Sequence, residues 1–98
     1  MFIIDLTYLV PLDQLDNYMP QHMAFLRECY KAHLFIASGR KVPRTGGIIL
    51  AVGQSKGAME ELVKEDPFVK MKLAEAKVIE FQTSQMHGEF KKMLASIQ

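Results

Sequence analysis

From Phe2 to Val10 the chain is apolar at most positions and rich in β-branched and aromatic side chains, and Pro11 closes the run. That pattern predicts a strand. From Leu12 the period lengthens: Leu12, Leu15, Met19, His22, Leu26, Cys29 and His33 recur at steps of three or four, with Tyr18, Met23 and Tyr30 alongside. This is the spacing of one buried helix face. Proline donates no hydrogen bond and clashes with the preceding turn, so Pro20 predicts the start of the main helix, behind a looser turn from Asp13 to Tyr18.

Residues 34 to 38 predict a second strand and residues 47 to 52 a third, joined by a Gly- and Pro-containing loop into an antiparallel hairpin. Ser55 is placed to cap a helix that carries Ala58, Met59, Leu62 and Val63 on one face. Pro67 interrupts that helix, and residues 67 to 74 predict a further short helical turn. Residues 77 to 82 predict a fourth strand. The tail from Met86, with Phe90, Met93, Leu94 and Ile97 at helical spacing, predicts an amphipathic helix.

The order β, α, β, β, α, β and then a helix predicts an α+β protein of ferredoxin-like βαββαβ arrangement with a C-terminal helix. The strands are apolar at nearly every position, which predicts burial of both sheet faces. An open apolar face exceeds the patch a soluble monomer tolerates, so the expectation is a homodimer with sheets packed face to face. The alternative is that the terminal helix covers the open face of its own subunit.

Composition narrows the class. With 98 residues, 49% hydrophobic and 23% charged, the chain is expected to form one domain over residues 1–98, neither disordered nor collagen-like. One cysteine makes no internal disulfide, consistent with a reducing compartment. Twelve Lys and Arg against eleven Asp and Glu leave a charge of +1, which removes the electrostatic footprint of a nucleic-acid binder. The N-terminal run has no basic leader and carries Asp5, and no stretch approaches the roughly 20 apolar residues of a membrane span. A cytoplasmic protein with neither membrane nor nucleic-acid partners is expected.

His22 falls on the apolar helix stripe and points inward. Two readings stand: a core histidine bonded to the backbone, or an acid–base group. His33, at the helix end, and His87, at the start of the tail helix, read as structural. Their spacing from His22 gives no metal signature, so no metal site is expected. Asp66 before Pro67 is a natural helix cap, and it is also a carboxylate able to orient His22; one carboxylate can serve both roles. Gly39 follows Ser38 at the end of the second strand and permits close approach of a ligand. Arg40, Lys41 and Arg44 are either a solvated loop or an anion clamp. Cys29 reads as packing, the methionines as core filler, and Tyr8 and Tyr18 have polar tips that a cleft would use.

The runs Met-Pro-Gln-His-Met-Ala-Phe-Leu at 19–26, Leu-Phe-Ile-Ala-Ser-Gly at 34–39 and Glu-Asp-Pro-Phe-Val at 65–69 resemble the YciI-like (YCII-related) family of small bacterial proteins. The resemblance runs from the first strand to about Phe81. It implies a ferredoxin-like fold assembled as a dimeric α+β barrel, with His22 and Asp66 as a catalytic dyad and Ser38 and Gly39 lining the pocket. Arg40 and Tyr8 join them as candidate substrate contacts. The related fold is similar to that of muconolactone isomerases and of a dehydrochlorinase acting on chlorinated hydroxyquinols, which move protons on small rings without a redox cofactor. Arg40 and its basic loop stand where many family members carry proline. The implied function is a cofactor-independent isomerase, lyase or dehydrochlorinase acting on a small, ring-containing anionic substrate. The alternatives are a non-catalytic metabolite-binding module and, more distantly, a heme-free oxygenase.

Overall fold

The computed structural model describes residues 1–98. In chain order the elements are β1 (Phe2–Tyr8), α1 (Leu12–Asp16), α2 (Met19–Lys31), β2 (Phe35–Arg40), β3 (Gly46–Ala51), α3 (Lys56–Val63), α4 (Pro67–Lys70), β4 (Ala74–Glu80) and α5 (Gly88–Ile97). The four strands form one antiparallel sheet in the order β2-β3-β1-β4, the ferredoxin-like arrangement with β1 and β3 at its centre.

One face of the sheet is covered. Phe2, Ile4 and Leu6 of β1 are buried and pack with Ile49 and Ala51 of β3, Phe35 of β2, Leu26 and Cys29 of α2, and Met59 and Val63 of α3. A second cluster of Leu15, Phe68, Leu73 and Ala74 fills the space beneath α1 and α4. On the other face Ile48 and Ile79 are 39% and 38% exposed, so the expected burial of both faces is met on one side only within this chain. The terminal helix does not take up the role, because α5 buries none of its residues.

Several boundaries differ from the sequence reading, each for a local reason. Leu12–Asp16 is a regular helical turn rather than a loose one. Pro20 is the second residue of α2, where its missing N–H still falls among donors that have no intrahelical partner. β4 begins three residues earlier than expected because α4 stops at Lys70. Lys72 adopts a left-handed φ of 60°, and the Leu73 N–H donates to the Phe68 carbonyl at 2.8 Å, closing the helix without a glycine to announce it. His33 ends α2 in the same way, with φ 59° and the Leu34 N–H donating to Cys29. His87 caps α5, its Nδ1 accepting from the Glu89 N–H at 3.2 Å. His87 thus caps its helix through the side chain, and His33 closes its helix through the backbone. Ser55 caps α3 as expected, accepting from the Ala58 N–H at 3.2 Å. The methionines are not core filler as a group: Met59 is buried, whereas Met71, Met86 and Met93 are exposed.

Two backbone features shape one end of the sheet. Phe35 pairs with Ala51, but Ala37 pairs with Leu50 and Ser38 with Ile49, so β2 carries a one-residue bulge after Phe35. The bulge shifts the side-chain alternation, and Ser38 and Arg40 come to lie on the helix-covered face, opposite Ile49 and Gly47. Gly46, at the start of β3, packs directly against the backbone of Leu6. A Cβ there would strike the Leu6 carbonyl, so only glycine lets β3 pair closely with β1 at this point.

Candidate active site

A cavity of about 200 Å³ opens where the C-terminal ends of β1 and β2 and the start of β3 meet the first two turns of α2. An apolar cavity of about 150 Å³ holds a benzene molecule, so this one has room for a single substituted ring. Its walls include Leu6, Met19, Met23, Leu26 and Phe68, and its polar groups come from His22, Ser38, Tyr8, Arg40 and Arg44.

His22 is 8% exposed, in the first turn of α2, where the three-and-four spacing turns it inward. Its Nδ1 lies 2.8 Å from Oδ1 of Asp66, a residue 44 positions away and 1% exposed. An ionised carboxylate only accepts, so the proton of the neutral imidazole sits on Nδ1 and Nε2 keeps its lone pair. His22 lines the cavity and Asp66 does not, which makes Nε2 the nitrogen available to a ligand.

The Asp66-Pro67-Phe68 turn holds this imidazole in two directions. Asp66 Oδ1 also accepts from the Phe68 N–H at 3.0 Å and so caps α4 while it bonds His22. The capping bond brings the Phe68 ring under the imidazole, with centroids 4.1 Å apart and planes 7° from parallel. Tyr8 also meets Phe68, in an edge contact with ring centroids 6.1 Å apart. One short turn thus fixes the ring by an edge and by a face. Capping and orienting prove to be the same bond system, so the two readings of Asp66 were never exclusive. Asp66 Oδ2, by contrast, is buried with no hydrogen-bond partner.

The other candidates separate. Ser38, Gly39, Arg40 and Tyr8 all line the cavity. The Ser38 hydroxyl is engaged with the Tyr30 hydroxyl at 2.7 Å. The three cations of the loop have three different fates. Lys41 crosses to the open face and pairs with Asp5 at 2.6 Å. Arg44 lines the cavity and pairs with Asp16, at the end of α1, at 2.8 Å. Arg40 lines the cavity without an ion pair. Burial pushes the Cys29 thiol up to about 11, the Asp66 and Glu28 charges adding to the effect, which fits packing rather than nucleophilic chemistry. Sequence reasoning undervalued Phe68, Met19 and Met23; for Phe68 the usable signal was an aromatic two residues after a capping aspartate.

Fold and geometry together define a ferredoxin-like α+β protein whose buried His–Asp pair opens on a ring-sized cavity. The sequence profile of the YCII-related domain matches residues 1–82, and the chain belongs to that family. No curated protein is significantly similar to it. Among solved structures it is similar to 5-chloro-2-hydroxyhydroquinone dehydrochlorinase (TftG) from Burkholderia phenoliruptrix AC1100, in complex with 2,5-dihydroxybenzoquinone. The TM-score is 0.69 at 19% sequence identity, over 92% of this chain and 98% of that one. The match confirms the fold. No helix is long and apolar enough to cross a membrane.

Proposed function

We propose that the protein is a cofactor-independent enzyme in which His22 moves a proton on a small, anionic, ring-containing substrate. The observation that carries this reading is the buried hydrogen bond from Nδ1 to Asp66, which leaves Nε2 as a base at the cavity. Nε2 takes a proton from a hydroxyl or ring carbon. The released electron pair moves into the ring and either expels a leaving group or is reprotonated elsewhere by the imidazolium. Asp66 keeps the imidazole oriented and carries the compensating charge. Ser38, Gly39, Arg40 and Tyr8 form the substrate contacts, and residues 1–98 act as one functional unit in the cytoplasm. The quinone bound by the dehydrochlorinase supports a ring of this size and polarity.

The test is turnover on a panel of hydroxyquinols, chlorinated hydroxyquinols and lactones, followed by product analysis. Wild type should convert at least one, and His22→Ala should lose about 10²–10⁴-fold in rate while still folding. Saturable binding without conversion of any of them would instead make the chain a metabolite-binding module.

The same reading places a second copy against the open sheet face, where Ile3, Ile48, Leu50 and Ile79 cluster around the Asp5–Lys41 pair. Sedimentation equilibrium should report about twice the 11.2 kDa chain mass, and Ile48→Lys should return it to one. A wild-type chain that sediments as a monomer removes the dimer.

A further inference from the structure

The cavity wall holds one group whose hydrogen bonding is incomplete. Arg44 is pinned through Nη2 to Asp16 at 2.8 Å, yet its Nε is buried with no acceptor in the protein. Most of its N–H donors are unspent, and a buried donor without an acceptor is costly to keep. Arg40 is differently placed: it lies on an edge strand, is exposed and has no charged partner fixing it. The hydrogen bond to Asp16 pushes the Arg44 guanidinium further above its ordinary range, with Tyr8 acting in the same direction. It therefore remains a cation under all working conditions.

We infer that Arg44, positioned by Asp16, anchors the oxyanion of the ligand in the cavity that His22 also lines. The ligand is then a planar ring bearing a carboxylate or phenolate, held by the guanidinium fork at one end and offering its exchangeable proton to His22 Nε2 at the other. An arginine suits this task because its planar donors match an oxyanion in two directions, which a lysine ammonium does not. Asp16 is a positioning residue, since it contributes to the cavity only through Arg44. The inference rests on the cavity being the ligand site, and it adds the residue and the ligand group that set affinity.

Benzoate and 4-nitrophenolate are suitable probes, one for each source of the oxyanion, with benzamide as the uncharged counterpart. Titration calorimetry on wild type should show at least one anion bound about tenfold or more tightly than benzamide. Arg44→Lys, which keeps the charge but not the fork, should lose about tenfold for that anion and nothing for benzamide. Asp16→Asn should weaken anion binding by a smaller factor and raise KM without lowering kcat. Lys41→Gln, which removes a loop cation facing the opposite side of the sheet, should stay within about twofold of wild type. Unchanged anion affinity in Arg44→Lys overturns the inference, as does failure of wild type to bind either anion in preference to benzamide. The outcome separates cleanly from that of the proton-transfer reading. Anions bound through Arg44 with no turnover of any substrate preserve the anchor and remove the enzyme; His22-dependent turnover with an unchanged KM in Arg44→Lys does the reverse.

Discussion

Phe68→Ala is expected to lower the melting midpoint by roughly 15–35 °C, the largest stability loss of any single substitution near the site. Phe68 is 1% exposed at the junction of α4, α1 and β1, where it stacks on the His22 ring and makes an edge contact with Tyr8. Truncating a buried phenylalanine costs about 3–5 kcal/mol, in a domain whose whole stability is about 5–15 kcal/mol. For a chain of this length each kcal/mol moves the midpoint by about 4–8 °C. Thermal unfolding followed by circular dichroism provides the measurement. Phe68→Leu isolates the functional part: it restores most of the volume at a cost of about 1–2 kcal/mol but removes the stack. The imidazole is then held by its edge alone, and turnover should fall by about 10–100-fold from loss of orientation. A Phe68→Leu protein as active as wild type would show that the Asp66 bond is enough to aim the ring.

Asp66 separates into stability and chemistry in a similar manner, through two substitutions that differ in what they remove. Asp66→Ala deletes the α4 cap, about 0.5–2 kcal/mol, and strands a buried imidazole N–H, about 1–3 kcal/mol. The expected destabilisation is about 2–4 kcal/mol, and the rate should fall by about 10²–10⁴-fold. Asp66→Asn is different because both existing bonds end on a single oxygen, Oδ1. The asparagine carbonyl takes that place, caps the helix and preserves the His22 tautomer. Its amide falls where Oδ2 now lies buried without a partner, so a buried charge is removed but two N–H donors are left without an acceptor. The helix cap is kept and the loss of stability should be about 1–3 kcal/mol, set by the stranded amide. Turnover should still drop about tenfold, because the imidazolium loses its charged acceptor. Full activity in Asp66→Asn would reduce Asp66 to a cap and a positioning group; an unchanged melting point in Asp66→Ala would remove the cap.

Much of this was legible in the chain because periodicity and capping chemistry are local. The stripe through His22, Leu26 and Cys29 gives α2 and its inward face, and Ser55 and Asp66 mark the starts of α3 and α4. Glycine and proline delimit the β2–β3 hairpin. The pairing of His22 with Asp66 was not available from spacing, since 44 residues separate them. Local chemistry offers Asp66 as a partner for His22 only as one of two readings, and the resemblance carried by the His22 and Asp-Pro-Phe segments favours it. What stayed hidden depends on backbone detail without a residue signature. Lys72 closes α4 in a left-handed conformation that the eye expects of glycine, which put the start of β4 three residues late. The bulge after Phe35 follows no visible motif, so nothing in the alternation of β2 shows that Ser38 and Arg40 turn to the cavity. The division of the basic loop between Asp5 and Asp16 is likewise a matter of tertiary reach, invisible in a run of three cations.

The one-residue offset in β2 also bears on how such a pocket diversifies. β2 lies at the border of the sheet, with only one neighbour to keep in step, so residues gained or lost there disturb few backbone pairings. A single residue more or less upstream of Ser38 exchanges an entire alternating set of side chains at the pocket mouth, hydroxyl and guanidinium for glycine and alanine, while the Asp66-Pro67-Phe68 turn that holds His22 at the same cavity stays intact. The β2 residues at the pocket mouth and the turn that holds His22 thus lie in separate stretches of chain, and the first can be revised in whole-residue steps without rewriting the second.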